Sequence, residues 1–226
     1  MTEPTQTPPA AILFDLDGTL VDSLPDLLRA MNALLAEMGR PPVTAKQVRG
    51  WVGDGAGPLV ERAMLATGGP SEISLRELVK RYLGHYAGNT AVGTRPFPGV
   101  EETLQSLKAA GHPLGVCTNK PTALSLELLD ALGLSGLFGA IVGGDTVTAR
   151  KPDPAHLLAT LAAMGMDGRR ALMVGDSAND VAAARAAGIP VVAVAFGYSR
   201  IDPKELGADA LIDDFTELPE AAARFL

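Results

Sequence analysis

From Arg95 onward the chain alternates short apolar runs with amphipathic stretches, and this rhythm restricts the possible folds more than any other feature. The spacing predicts a helix over 100–110 stopped by Gly111, then a strand over 113–118. A helix over 122–132 stops at Gly133, and a strand over 140–144 follows. Asp153-Pro154 has the form of an N-cap and first helical residue. The helix it opens carries Leu157, Leu158, Leu161 and Met164 on one face. A strand over 171–176 comes next, then a helix over 178–187 ended by Gly188 with Pro190 beyond it. Strands over 191–195 and 210–212 complete the series. Such alternation implies a parallel sheet covered on both faces, with right-handed crossovers. The apolar run 10–15 reads as a further buried strand, placed ahead of the series.

Between that first strand and Arg95 the pattern changes. Leu27, Leu28, Met31, Leu34, Leu35 and Met38 recur at helical spacing, with Ser23 and Asp26 in the arrangement of a capping box. Leu59, Val60, Ala63 and Met64 suggest a second helix, and Leu75, Leu78, Val79, Tyr82 and Leu83 a third. No strand is evident there, and Arg95-Pro96-Phe97-Pro98-Gly99 looks like a stiff connector. The expectation is an α/β, Rossmann-like parallel-sheet core made of residues 1–22 and 96–226, with a small all-helical cap inserted at 23–95.

Composition narrows the range of functions. The 226 residues are 47% hydrophobic, enough for a sizeable core, and the net charge of −7 disfavours binding to nucleic acid or an anionic membrane. The single cysteine, Cys117, excludes an internal disulfide framework. Residues 1–9 are polar and proline-rich, unlike a signal peptide, and no apolar run approaches the ~20 residues of a membrane span. A soluble cytoplasmic protein is expected, either a monomer or a homodimer.

The chemistry should lie beyond the carboxyl ends of the strands, where open α/β sheets bind ligands. The first strand delivers Asp15 and Asp17, the second Thr118, Asn119 and Lys120. The loop after the third carries Lys151, and the fourth ends in Gly175-Asp176-Ser177, with Asn179 and Asp180 just beyond. Ending a buried strand on two acids is costly: at ~4 Å like charges repel by ~1 kcal/mol in water and ~4 kcal/mol at an effective dielectric of about 20. Oxygen donors without histidine or cysteine favour a hard cation, Mg²⁺ above all. A desolvated carboxylate can serve as a nucleophile, a second as general acid and base, and a lysine can balance a transferring phosphoryl group.

Asp15-Leu16-Asp17-Gly18-Thr19, the strand end at Thr118, Lys151-Pro152 and Gly175-Asp176-Ser177-Ala178-Asn179-Asp180 together resemble the four motifs of the haloacid dehalogenase superfamily, in that family's order. The resemblance implies an Mg²⁺-dependent phosphomonoester hydrolase with a phosphoaspartate intermediate on Asp15. Asp17 would protonate the leaving alkoxide and later deprotonate water. Thr118, Asn119 and Lys151 would hold the phosphate, and Lys151 would also neutralise Asp15. The carboxylates of Asp15 and Asp176 and the main-chain carbonyl of Asp17 would bind Mg²⁺, with Asp180 in support. Hydrolytic dehalogenases of the superfamily lack the second acid, so Asp17 argues against that activity. Within the superfamily the chain is most similar to the bacterial phosphoglycolate phosphatases. That similarity rests on Trp51-Val52-Gly53-Asp54-Gly55-Ala56, Thr118-Asn119-Lys120-Pro121, Val142-Gly143-Gly144-Asp145 and Phe196-Gly197-Tyr198. It implies a small anionic phosphorylated substrate, 2-phosphoglycolate first.

Some residues also admit plainer readings. Ser177 with Asp180 has the form of a capping box, and Asn119 and Lys120 could simply open a helix. The loop at Gly53, Gly55 and Gly57 could be helix punctuation or could face the core site, where Arg49 or Trp51 could select substrate. His85, His112 and His156 are scattered and suggest no metal cluster. Two further readings compete: a phosphatase or mutase for another small metabolite such as a sugar phosphate, and a receiver module that accepts phosphoryl onto an aspartate. The receiver has the wrong motif order and lacks the helical insert.

Overall fold

The computed structural model describes residues 10–166 and 170–226, so the polar segment 1–9 lies outside the described residues. The elements in chain order are β1 (Ala11–Phe14), β2 (Val21–Asp22), α1 (Leu24–Glu37), α2 (Ala45–Arg49), α3 (Ala56–Ala66), α4 (Leu75–Tyr86) and β3 (Arg95–Pro96). Then come α5 (Val100–Ala109), β4 (Leu114–Cys117), α6 (Thr122–Ala131), β5 (Ala140–Val142) and α7 (Pro154–Ala163). The chain ends with β6 (Ala171–Gly175), α8 (Ala178–Ala187), β7 (Val191–Val194), β8 (Ala210–Ile212) and α9 (Leu218–Ala222).

Six strands form one sheet in the order β5-β4-β1-β6-β7-β8, and every pair in it is parallel. β1 lies inside the sheet, with Ile12 opposite Leu114 on one side and Leu172 on the other. Its alternating side chains feed two cores, as the period of two demands. Ile12 and Phe14 pack with Leu104, Leu128 and Phe215 on one face, while Ala11 and Leu13 pack with Leu157, Leu161 and Ala183 on the other. Both faces are therefore covered by helices, and this is why β1 is apolar at every position.

Helices α1–α4 share a third core of their own, including Leu27, Met31, Leu34, Val60 and Tyr82. In α1 the positions Leu27, Met31, Leu34 and Leu35 form one stripe and are all buried. Two sequence expectations fail here. Ser23 and Asp26 make no capping box: Ser23 Oγ is buried without a hydrogen-bond partner among the described residues. Asp26 Oδ2 instead accepts from the Gly93 N–H, the Thr94 N–H and the Thr94 hydroxyl, each at 2.8 Å. The two ends of the helical unit also carry short strands: β2 pairs antiparallel with β3, Val21 opposite Pro96 and Asp22 opposite Arg95. Among the described residues no helix is long and apolar enough to cross a membrane.

Candidate active site

The strand order reverses between β1 and β6, so the crevice above these strands is the switch point of the sheet. Asp15 follows β1 and Asp176 follows β6. Asp15, Asp176 and Asp180 are all buried, and one carboxylate oxygen of each lies within 4.8 Å of the others. Lys151 is inserted among them, its Nζ 2.9 Å from Asp15 Oδ1 and 2.6 Å from Asp180 Oδ1. Asp15 Oδ1 also accepts from the Leu16 N–H at 2.7 Å, so both contacts fall on one oxygen of a residue that lines the crevice.

The acids divide by what their oxygens already touch. Asp180 Oδ2 accepts from the Asp176 N–H (3.2 Å), the Ser177 N–H (3.0 Å) and the Ser177 hydroxyl (2.7 Å). With Oδ1 on Lys151, both of its oxygens are engaged, and the expected cap at Ser177 coexists with a role in fixing the lysine. Asp176 is held by the Thr19 hydroxyl at 3.2 Å and the Tyr198 N–H at 2.5 Å. That approach requires glycines: a Cβ on Gly197 would stand 2.2 Å from Asp176 Cβ, and one on Gly18, where φ is +90°, would stand 2.5 Å from Asp176 Oδ2.

Electrostatics follow from this crowding. Burial pushes Asp15 up to about 6, against the pull of the Lys151 ammonium. Burial, then Asp180 and Asp15, raise Asp176 well above the usual carboxylate range. Burial opposes the charge on Lys151, but Asp15 and Asp180 outweigh it and hold the ammonium protonated. Two carboxylates driven towards their neutral forms, side by side and with oxygen donors alone, suit a hard divalent cation.

Asp17 stands across the crevice, its two oxygens 3.0 and 3.2 Å from Lys120 Nζ. Lys120, left open in the sequence, is only 7% exposed and belongs to the site. Thr118 is buried beside it, its hydroxyl accepting from the Lys120 N–H at 3.3 Å. Asn119 behaves differently from the expected phosphate contact. Its Nδ2 donates to the carbonyls of Gly53 (2.9 Å) and Lys151 (3.0 Å), and its Oδ1 accepts from the Lys151 N–H (3.1 Å). It braces the lysine loop and reaches the helical unit.

The loop after α2 roofs the crevice, and Gly53 and Gly55 line the recess with Asp15, Asp17 and Thr118. Arg49 and Trp51 do not line it. Arg49 donates instead to the carbonyls of Phe196 and Gly197, and packs over the Tyr198 ring at 5.4 Å. Asp54 joins the two halves: Arg200 (2.6 Å) and Asn179 (2.7 Å) approach it from the core and Arg62 (2.5 Å) from α3. Sequence reasoning missed Tyr198 and Arg200. The partners that give them a role are far away in the chain, and only the Phe196-Gly197-Tyr198 match hinted at the first.

A parallel sheet with acids and a buried lysine at its switch point, roofed by a helical insert, defines a class of α/β proteins with an acidic site at the strand ends. The chain belongs to the haloacid dehalogenase-like hydrolases, whose sequence profile matches residues 12–194. It is 48% identical over 218 residues to a phosphoglycolate phosphatase of Caulobacter vibrioides, covering 96% of this chain and 92% of the relative. Among solved structures, a predicted phosphoglycolate phosphatase from Haemophilus somnus superposes with a TM-score of 0.89 at 35% identity, over 96% of this chain and 99% of that one. CbbY from Rhodobacter sphaeroides, in complex with phosphate, gives 0.80 at 28% identity over 92% and 96%.

Proposed function

We propose that the protein is an Mg²⁺-dependent phosphomonoester hydrolase acting on 2-phosphoglycolate in the cytoplasm. The observation that carries this reading is Asp15. Its Oδ1 is pinned by Lys151 and the Leu16 N–H while the carboxylate lines the recess, two residues before a second acid. The 48% identity to a named phosphoglycolate phosphatase supports the choice of substrate. The lone buried cysteine and the acidic charge fit a reducing compartment.

Asp15 attacks phosphorus in line, forming an acyl phosphate while the ester P–O bond breaks. Asp17 gives its proton to the departing glycolate oxygen. It then takes a proton from water, which attacks the same phosphorus, breaks the Asp15–phosphate bond and releases inorganic phosphate. Thr118 and Lys151 bind the phosphoryl oxygens, and Lys151 also keeps Asp15 aimed. The carboxylates of Asp15 and Asp176 with the Asp17 carbonyl would hold Mg²⁺, which when bound offsets charge on the transferring group. Asp180 stays with Lys151 and the α8 N-terminus, as its filled hydrogen-bond capacity suggests. The helical unit 23–95 serves as a cap that excludes bulk water. Phosphate release from a panel of phosphate esters, with Mg²⁺ and with EDTA, tests the reading. Saturating preference for a sugar phosphate over 2-phosphoglycolate would overturn the substrate, and metal-independent turnover would overturn the mechanism.

A further inference from the structure

The wall of the recess contributed by α4 includes two tyrosines. Tyr82 and Tyr86 are 2% and 1% exposed, and neither hydroxyl has a hydrogen-bond partner among the described residues. Buried hydroxyls are normally paired, so two orphans in one wall of a ligand recess need an explanation. The rings stack 6.5 Å apart at 10°, and Lys120 Nζ lies 4.4 Å from the Tyr86 centroid. Burial raises both tyrosines far above their ordinary value, so both remain O–H donors at neutral pH. Lys120 is the one cation among the residues lining the recess. The surrounding wall is apolar, made by Leu27, Leu59, Leu83 and Leu124.

We propose that Lys120 and the hydroxyls of Tyr82 and Tyr86 form the subsite for the non-phosphate end of the substrate, and that this end is a carboxylate. The inference rests on the proposed phosphatase reading and goes beyond it by assigning the residues that choose the substrate. One ammonium matches one negative charge, and two neutral donors match the lone pairs of a carboxylate. A sugar would instead set several hydroxyls against the leucine wall. Lys120 is already paired with Asp17, so an incoming carboxylate shares that ammonium and loosens its hold on the acid.

The test compares 2-phosphoglycolate with ethyl phosphate, in which a methyl group stands in place of the carboxylate, in the parent and in Tyr82→Phe, Tyr86→Phe and the double variant. In the double variant the ratio of kcat/KM for the two substrates is expected to fall about tenfold or more, mainly through KM. Removing an unpaired hydroxyl costs the free protein nothing, so the thermal midpoint should hold or rise while selectivity falls. An unchanged ratio, whether both substrates are unaffected or equally slowed, would overturn the subsite. Glycolate binding, followed by NMR, separates this inference from the reading beneath it. A parent that binds glycolate through these hydroxyls but hydrolyses neither ester would fault the proposed activity alone. An active parent that binds glycolate no better than the double variant would fault the subsite alone.

Discussion

Lys151 has an almost wholly ionic setting: it is 4% exposed and lies between Asp15 and Asp180. Asp180→Asn takes one of two carboxylates from this buried ammonium and should lower stability by about 3 kcal/mol, read by denaturant unfolding. Asp15→Asn should cut phosphate release by about a thousandfold or more while the far-UV spectrum stays native; wild-type-like turnover would remove Asp15 as nucleophile. Asp17→Asn should form phosphoenzyme only slowly with poor leaving groups. His156 offers a separate pH signature. It is fully buried, and burial with the nearby Lys151 charge brings it down to about 4. The unfolded chain binds that proton near pH 6.5 and the folded one does not, so stability is lost as pH falls from about 6.5 towards 4. The loss should reach up to about 3 kcal/mol, and His156→Leu should flatten that part of the curve.

At the scale of elements, α1 shows why local motifs mislead. Ser23-x-x-Asp26 has the letters of a capping box, yet Asp26 is claimed by Gly93 and Thr94, at the far end of the helical unit. That contact spans 67 residues and leaves no local trace. Burial opposes the Asp26 charge, but the Thr94 and Gly93 donors outweigh it and hold the carboxyl below its usual range. Asp26→Asn should therefore cost about 2 kcal/mol near neutral pH and progressively less in acid, whereas Ser23→Ala should be neutral. The reverse holds at α2, where the letters Thr44-x-x-Gln47 do form a real box. Asp145, in the Val142-Gly143-Gly144-Asp145 segment, closes the start of α6, accepting from the Thr122 N–H at 2.8 Å and hydroxyl at 2.7 Å.

For the whole molecule, the repeating core was legible because a parallel strand buried on both faces must be apolar and must be followed by a covering helix. Asp15, Asp17, Lys151, Asp176 and Asp180 were legible for a related reason: strand order carries their positions to one edge. Lys120, Tyr82 and Tyr86 were not. A lysine after a strand and tyrosines in a helical stripe look like surface and core until the two halves of the molecule meet. The strands β2 and β3 escaped notice because two residues carry no periodicity. Metal linkage should also be visible at this scale. Saturating Mg²⁺ should raise the thermal midpoint, by about 2.7 kcal/mol of stability at a hundredfold excess over Kd, and EDTA should reverse it. Because Asp15 is pushed up to about 6, a proton competes with the cation below that pH. The Mg²⁺-dependent gain should therefore shrink as pH drops through about 6, and Asp176→Asn should abolish it.

The pairing of Val21–Asp22 with Arg95–Pro96 makes the entire helical unit, in topological terms, the loop of a single β-hairpin. A hairpin constrains only where its loop leaves and returns, not what the loop contains. The sheet and its acids can thus stay constant while the insert is rebuilt, so the insert's share in choosing the molecule is free to change without touching the bond broken.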